Sequence, residues 1–144
     1  MQPPPDDPHS TPHAPPRVVI VEDDEGVRDV LEMLFSDDGF EVIACAGIEK
    51  ARAALRARVP HLLVSDMRLG NAPRGGLELV RAARALSQPP PEVIVLTGMQ
   101  FSAIPREVHA LEAAGAHLVS KPFDIDTLLS LARSLTAWPG RSLT

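Results

Sequence analysis

The chain has 144 residues, 44% hydrophobic and 23% charged, enough for one globular core and too short for two. A formal net charge of −5 and a pI near 5.5 provide no global field for nucleic acid or for an anionic membrane surface. No apolar run approaches the roughly 18 residues of a spanning helix, and the start, MQPPPDDPHSTPHAPP, lacks the basic and apolar regions of a signal peptide, so a cytoplasmic protein without direct nucleic-acid or membrane binding is expected.

Residues 1–16 hold seven of the 15 prolines and one aliphatic side chain beyond Met1, too little apolar surface to offset the entropy of ordering. They read as a disordered, Pro-rich arm. His9 and His13 lie in it four apart, but without a helix that spacing defines no metal site.

From Arg17 onward, short apolar runs alternate with helical periodicity. RVVIVE is continuous in aliphatics, as a strand buried on both faces requires. Val27, Val30, Leu31, Leu34 and Phe35 recur at helical spacing, and that helix stops near Gly39. FEVIAC is a second strand, in which Cys45, with no disulfide partner, reads as a small buried residue. Ile48, Ala51, Ala54 and Leu55 mark a second helix ended by Pro60. HLLVSD is a third strand, LGNAPRGG a loop, and Leu77, Leu79, Val80 and Ala83 mark a third helix. PEVIVLTG is the fourth strand, followed by a helix from about Ile104 to Ala114. HLVSKP is a short fifth strand, and DIDTLLSLARSLTA a last helix with Asp124 as its N-cap. Five β-α repeats call for a single doubly wound α/β domain, a parallel five-stranded sheet with helices on both faces. It spans residues 17–136 and leaves a short tail at 137–144.

Ligands of such sheets bind at the carboxyl ends of the strands. Strand one ends at Glu22 and Asp23, strand three at Asp66, strand four at Thr97 and strand five at Lys121. If strands one, three, four and five are neighbours, these side chains converge on one rim. Three gathered carboxylates raise each other's pKa unless a cation balances them, and hard oxygen donors without Cys or His select Mg²⁺. The acids also argue against a Gly-rich nucleotide-binding turn at this place. A hydroxyl and an ammonium are what a phosphoryl group on a neighbouring carboxylate needs for its other oxygens, which makes Asp66 a candidate covalent acceptor.

The combination of VIVEDDEGVR, LLVSDMRL, VIVLTG and AGAHLVSKPF resembles the receiver domain of bacterial two-component response regulators, the CheY-like kind, over about residues 17–136. The resemblance implies a flavodoxin-like sheet in the order 2-1-3-4-5. It implies that Asp23 binds Mg²⁺ directly and Glu22 through water, and that Asp66 is the phosphoacceptor. It further implies that the backbone carbonyl of Arg68 joins the metal shell, that Thr97 is the switch hydroxyl, and that Lys121 pairs with the phosphoryl group. A cis Lys121-Pro122 bond is implied as well. Asp24 and Glu25 have no such role and read as the cap and first turn of helix one.

Some positions depart from the family pattern. The aromatic usual three residues before the lysine is Leu118 here, with His117 as the other occupant that the shortened AGAHLVSK spacing allows. The family's Pro four residues after the acceptor is Gly70, and GLEL arrives about two residues late, so Gly70, Gly75 and Gly76 read as a floppy wall of the site. Arg68 and Met99 stand two residues after the acceptor and after the Thr, where the family's hydrolytic water passes.

The resemblance implies phosphoryl transfer from a sensor histidine kinase or a phosphotransfer protein. The output would pass to a downstream effector protein or to self-association through the face of helix four, strand five and helix five. The Met1 start favours a stand-alone regulator over a piece of a longer chain, and Trp138 is expected to pack on the last helix. Two rivals remain open at this point: a phosphorylation-independent interaction module of the same fold, and a Mg²⁺-dependent phosphohydrolase, which would usually carry an acid where Arg68 stands.

Overall fold

The computed structural model describes residues 14–72, 74–98 and 105–141. Expectations for residues 1–13, Met99, Ile104 and residues 142–144 fall outside them. The described residues form β1 (Arg17–Val21), α1 (Glu25–Asp37), β2 (Glu41–Cys45), α2 (Ile48–Ala57), β3 (Leu62–Asp66), α3 (Gly75–Arg84), β4 (Glu92–Thr97), α4 (Pro105–Ala113), β5 (His117–Ser120) and α5 (Ile125–Thr136). The sheet order is β2-β1-β3-β4-β5 and every pairing is parallel. The flavodoxin-like expectation holds, and the switch point of the topology lies between β1 and β3.

Alternation along the strands builds two cores. Val19, Val21, Leu63, Val93 and Val95 face α2, α3 and α4, where Leu55, Leu79, Val80 and Leu111 meet them. Val18, Ile20, Leu62, Val64, Ile94 and Leu96 face α1 and α5, where Leu31, Phe35 and Leu128 close the other side. This two-sided burial is why the strands are unbroken aliphatic runs. Each such side chain taken fully out of water contributes about 1.5–3 kcal/mol.

The helix ends follow the local chemistry. Asp24 caps α1, its Oδ1 accepting from the Val27 N–H at 3.0 Å, and Asp124 caps α5 by accepting from the Asp126 N–H. Gly39, at φ 99°, ends α1 with its N–H donating to the Ser36 carbonyl at 3.0 Å, the left-handed stop that glycine favours. A side chain at Gly39 would also strike the Trp138 ring, at 2.9 Å. Trp138 packs edge-on against Phe40 and its Nε1–H donates to the Asp38 carbonyl at 2.9 Å, so its packing reaches from the end of α5 to the α1–β2 corner. Lys121-Pro122 is cis, and so is Gln88-Pro89.

The expectation of a floppy loop after Asp66 is corrected. Leu69 and Ala72 exchange backbone hydrogen bonds at 3.0 and 2.9 Å, closing a two-residue turn with Gly70 at φ 59°. Gly75 and Gly76 are not loop residues at all but the buried first turn of α3. A Cβ on Gly76 would stand 2.7 Å from the Asp66 carbonyl oxygen and 2.8 Å from the Met67 Cα. Glycine is needed here for close approach of helix to strand end, not for freedom.

Gly76→Ala should therefore destabilise the fold by about 1–3 kcal/mol, since backbone neighbours cannot swing aside; a urea midpoint equal to the parent's would refute this. A second prediction concerns pH. The Arg17 N–H donates to His61 Nδ1 at 2.9 Å. Burial, helped by the Arg17 and Arg58 guanidiniums, holds the imidazole below its usual 6.5. The unfolded chain protonates His61 near 6.5 and the folded chain only lower, so this contribution is complete above 6.5 and is lost as pH falls from there through the lower folded value. Urea midpoints at about pH 7.5 and about pH 5.5 should differ more in the parent than in His61→Gln.

Candidate functional site

The chain leaves β1 still paired: the Glu22 N–H donates to the Cys45 carbonyl at 3.1 Å, which carries Glu22 to the carboxyl edge with its side chain 1% exposed. Lys121 Nζ donates to Glu22 Oε1 at 3.0 Å and lies 3.3 Å from Asp66 Oδ2. The Asp24 N–H donates to Glu22 Oε2 at 3.2 Å, and Arg28 Nη1 donates to the Glu22 carbonyl at 3.0 Å. Asp23 is exposed, and its Oδ2 accepts from the Gly70 N–H at 3.1 Å. Glu22, Asp23 and Asp66 each offer an oxygen to a group spanning no more than 4.8 Å.

Thr97 lies at the end of β4, 2% exposed, and its carbonyl accepts the Lys121 N–H at 2.7 Å. Arg68 stands in the loop two residues past Asp66 with its side chain exposed. Of the six expected site residues, direct side-chain contacts join Lys121 to Glu22 and to Asp66. Asp23 completes the acidic group, while Thr97 and Arg68 flank it on the adjoining strand end and loop.

The carboxyls respond to the crowding. Burial pushes Glu22 above its ordinary value, the Lys121 and Asp24 hydrogen bonds offset part of this, and Asp66 adds to the rise. Burial would raise Asp23 too, but the Gly70 N–H and the Lys121 charge help outweigh it and hold Asp23 down. Burial works against the Lys121 ammonium, yet Glu22 and Asp66 hold its pKa above the ordinary value. The donor set fits Mg²⁺: all three groups are carboxylates, the hard oxygen donors that ion takes, and no Cys or His is among them.

The sequence reading missed three partners. Arg28 lies within the quoted VIVEDDEGVR, one turn into α1, but its contact is to a backbone carbonyl and leaves no pattern. The Gly70 N–H and Arg74, which pairs with Glu107 of α4, belong to the loop that departs from the family pattern. Of the two residues that the sequence offered near the family's aromatic position, Leu118 packs with the α2, α3 and α4 core. His117 is exposed, with Nε2 3.5 Å from Glu92 Oε2.

An acidic group at the switch point of a doubly wound sheet places the chain among α/β proteins that bind at their strand ends. The family model described as the response regulator receiver domain matches residues 18–133, and the chain belongs to that family, the receivers of two-component response regulators. It is 32% identical over 120 residues to the C4-dicarboxylate transport transcriptional regulatory protein DctD of Rhizobium meliloti, covering 83% of this chain and 25% of that protein. It is 31% identical over 116 residues to the KDP operon transcriptional regulatory protein KdpE of Escherichia coli, covering 81% and 49%. The chain thus spans a quarter to a half of these relatives. Among solved structures, the chemotaxis response regulator CheY4 of Vibrio cholerae aligns with a TM-score of 0.73 at 25% identity, over 85% of this chain and 99% of that one. NtrX of Brucella abortus aligns at 0.74 and 23% identity over 86% and 27%, a likeness of fold. Among the described residues no helix is long and apolar enough to cross a membrane.

Because Lys121 carries the counter-charge of the acids, Lys121→Met should cost about 1–3 kcal/mol near neutral pH by leaving buried Glu22 unpaired. Mg²⁺ should then raise the melting temperature of the variant more than that of the parent. Equal Mg²⁺ increments in thermal melts would contradict the assignment.

Proposed function

We propose that this receiver accepts a phosphoryl group on Asp66 in a Mg²⁺-dependent reaction, from the phosphohistidine of a sensor histidine kinase or of a phosphotransfer protein. The observation that carries the reading is the contact of Lys121 with both Glu22 and Asp66 inside the three-carboxylate group, in a chain of the receiver family. Glu22, Asp23, Asp66 and the Arg68 carbonyl would hold the ion, which when bound supplies the positive charge that balances carboxylates against phosphoryl oxygens.

The chain's own residues do the rest. An Asp66 carboxylate oxygen forms the new O–P bond while the donor's P–N bond breaks, and the imidazole leaves with the electron pair and takes up a proton from solvent. Lys121, already 3.3 Å from Asp66 Oδ2, follows the charge onto the phosphoryl oxygens. Thr97 offers its hydroxyl from the next strand end. The gain of roughly two negative charges is the signal. It passes to a downstream effector protein or to self-association through the face of α4, β5 and α5.

Leu118 in place of an aromatic bears on the output and not on phosphoryl transfer, because it touches none of the acids in the contacts above. On this reading residues 17–136 act as the receiver, flanked by an arm and a tail, in the cytoplasm. The domain catalyses only its own phosphorylation and dephosphorylation.

Incubation with Mg²⁺ and acetyl phosphate, followed by intact mass, should give an adduct of about 80 Da that is absent in Asp66→Ala and absent without Mg²⁺. No adduct on the parent would sink the proposal and leave a binding module of the same fold. Multiple turnover of unrelated phosphoesters would replace it with a hydrolase.

A further inference from the structure

The loop between β3 and α3 touches both the acidic group and a distant helix. At its tip the Gly70 N–H donates to Asp23 Oδ2 at 3.1 Å. Leu69, locked by its backbone exchange with Ala72, plants its side chain in the core at 4% exposure. Farther along the loop, Arg74 forms an ion pair with Glu107 in the first turn of α4. The two partners differ in setting: Arg74 is 62% exposed and Glu107 13%. The carboxylate is therefore the dependent member, since a largely desolvated charge needs its partner more than a solvated one does.

We propose that Arg74 and Glu107 are positioning residues for the acidic group, and that their ion pair couples what Asp23 holds to the placement of α4. The inference rests on the receiver reading above. Asp23 and Glu107 are joined through Gly70, the Leu69–Ala72 turn, the Gly75 N–H that donates to the Ala72 carbonyl at 3.1 Å and the adjoining Arg74, and the residues by which this loop exceeds the family pattern lie within LGNAPRGG. The route bypasses Thr97 and Leu118, so it serves a chain in which no aromatic accompanies the Thr. Because Arg74 is solvated it can leave the pair for water while Glu107 cannot, so a ligand that favours one arrangement of the loop over the other can shift the pair. Coupling is reciprocal: if filling the acidic group alters the ion pair, breaking the ion pair alters the affinity of the acidic group for its cation by the same factor.

The test is amide NMR of the full chain titrated with Mg²⁺ and then with beryllofluoride as a phosphoryl mimic. In the parent, the amides of Gly70 and of residues 106–108 should move with one midpoint. In Glu107→Gln the Gly70 amide should still move while those of α4 cease to follow, and the Mg²⁺ Kd should weaken roughly two- to fivefold. Arg74→Lys, and the exchanged pair Arg74→Glu with Glu107→Arg, should restore both responses, which a merely structural role would not require. The inference is overturned if the α4 amides follow Gly70 equally in Glu107→Gln, or if they stay still in the parent while Gly70 moves. A parent Gly70 amide indifferent to Mg²⁺ would strike at the receiver reading itself and remove the inference with it.

Discussion

Three carboxylates whose oxygens lie within 4.8 Å of one another cannot all ionise without a cation close by. That constraint governs the carboxyl edge of this sheet. Lys121 meets it in part by reaching Glu22 and Asp66 together; burial, with a smaller addition from Asp66, still drives the Glu22 carboxyl up, while the Gly70 N–H and the Lys121 charge hold Asp23 down. The fold supplies the geometry for this contest. The order sets β1 beside β3, with β5 two strands beyond β3, and so brings residues 22, 66 and 121 to one rim. Asp24 is kept out of it because its carboxylate is occupied with the first turn of α1.

Much of the fold was legible in the sequence because burial on both sheet faces leaves a direct record in residue type. The unbroken aliphatics of RVVIV and EVIVL could belong only to strands covered twice, and the spacing of Leu31 and Phe35 to a helix covered once. The caps at Asp24 and Asp124 were equally readable, since a short acidic side chain before a periodic run has one strong local use. The members of the acidic group followed from the rule that strand ends hold the ligand in such sheets. Their roles came from resemblance to the receiver family, not from spacing.

What escaped the sequence shares one property: it is side chain or backbone meeting a partner far away, with no local pattern to announce it. The glycines after Asp66 illustrate this. Composition reads Gly75 and Gly76 as flexibility, whereas Gly76 is small because the Asp66 carbonyl and Met67 leave no room for a Cβ. Sequence cannot distinguish a glycine chosen for freedom from one chosen for contact. The same holds for Arg133, whose Nε donates to Asp38 Oδ2 at 2.9 Å across 95 residues, and for Arg74 with Glu107.

Trp138 is the chain's one tryptophan, and it sits against Gly39 and Phe40, immediately before β2 begins. In a parallel sheet that corner is the amino edge, separated from the acids by the length of a five-residue strand, about 17 Å. Its indole is therefore an optical probe of the seam between α1 and α5 and is insulated from the chemistry at the far end. Unfolding and ligand binding can thus be read through separate channels in the same cuvette, intrinsic fluorescence for the first and calorimetry for the second.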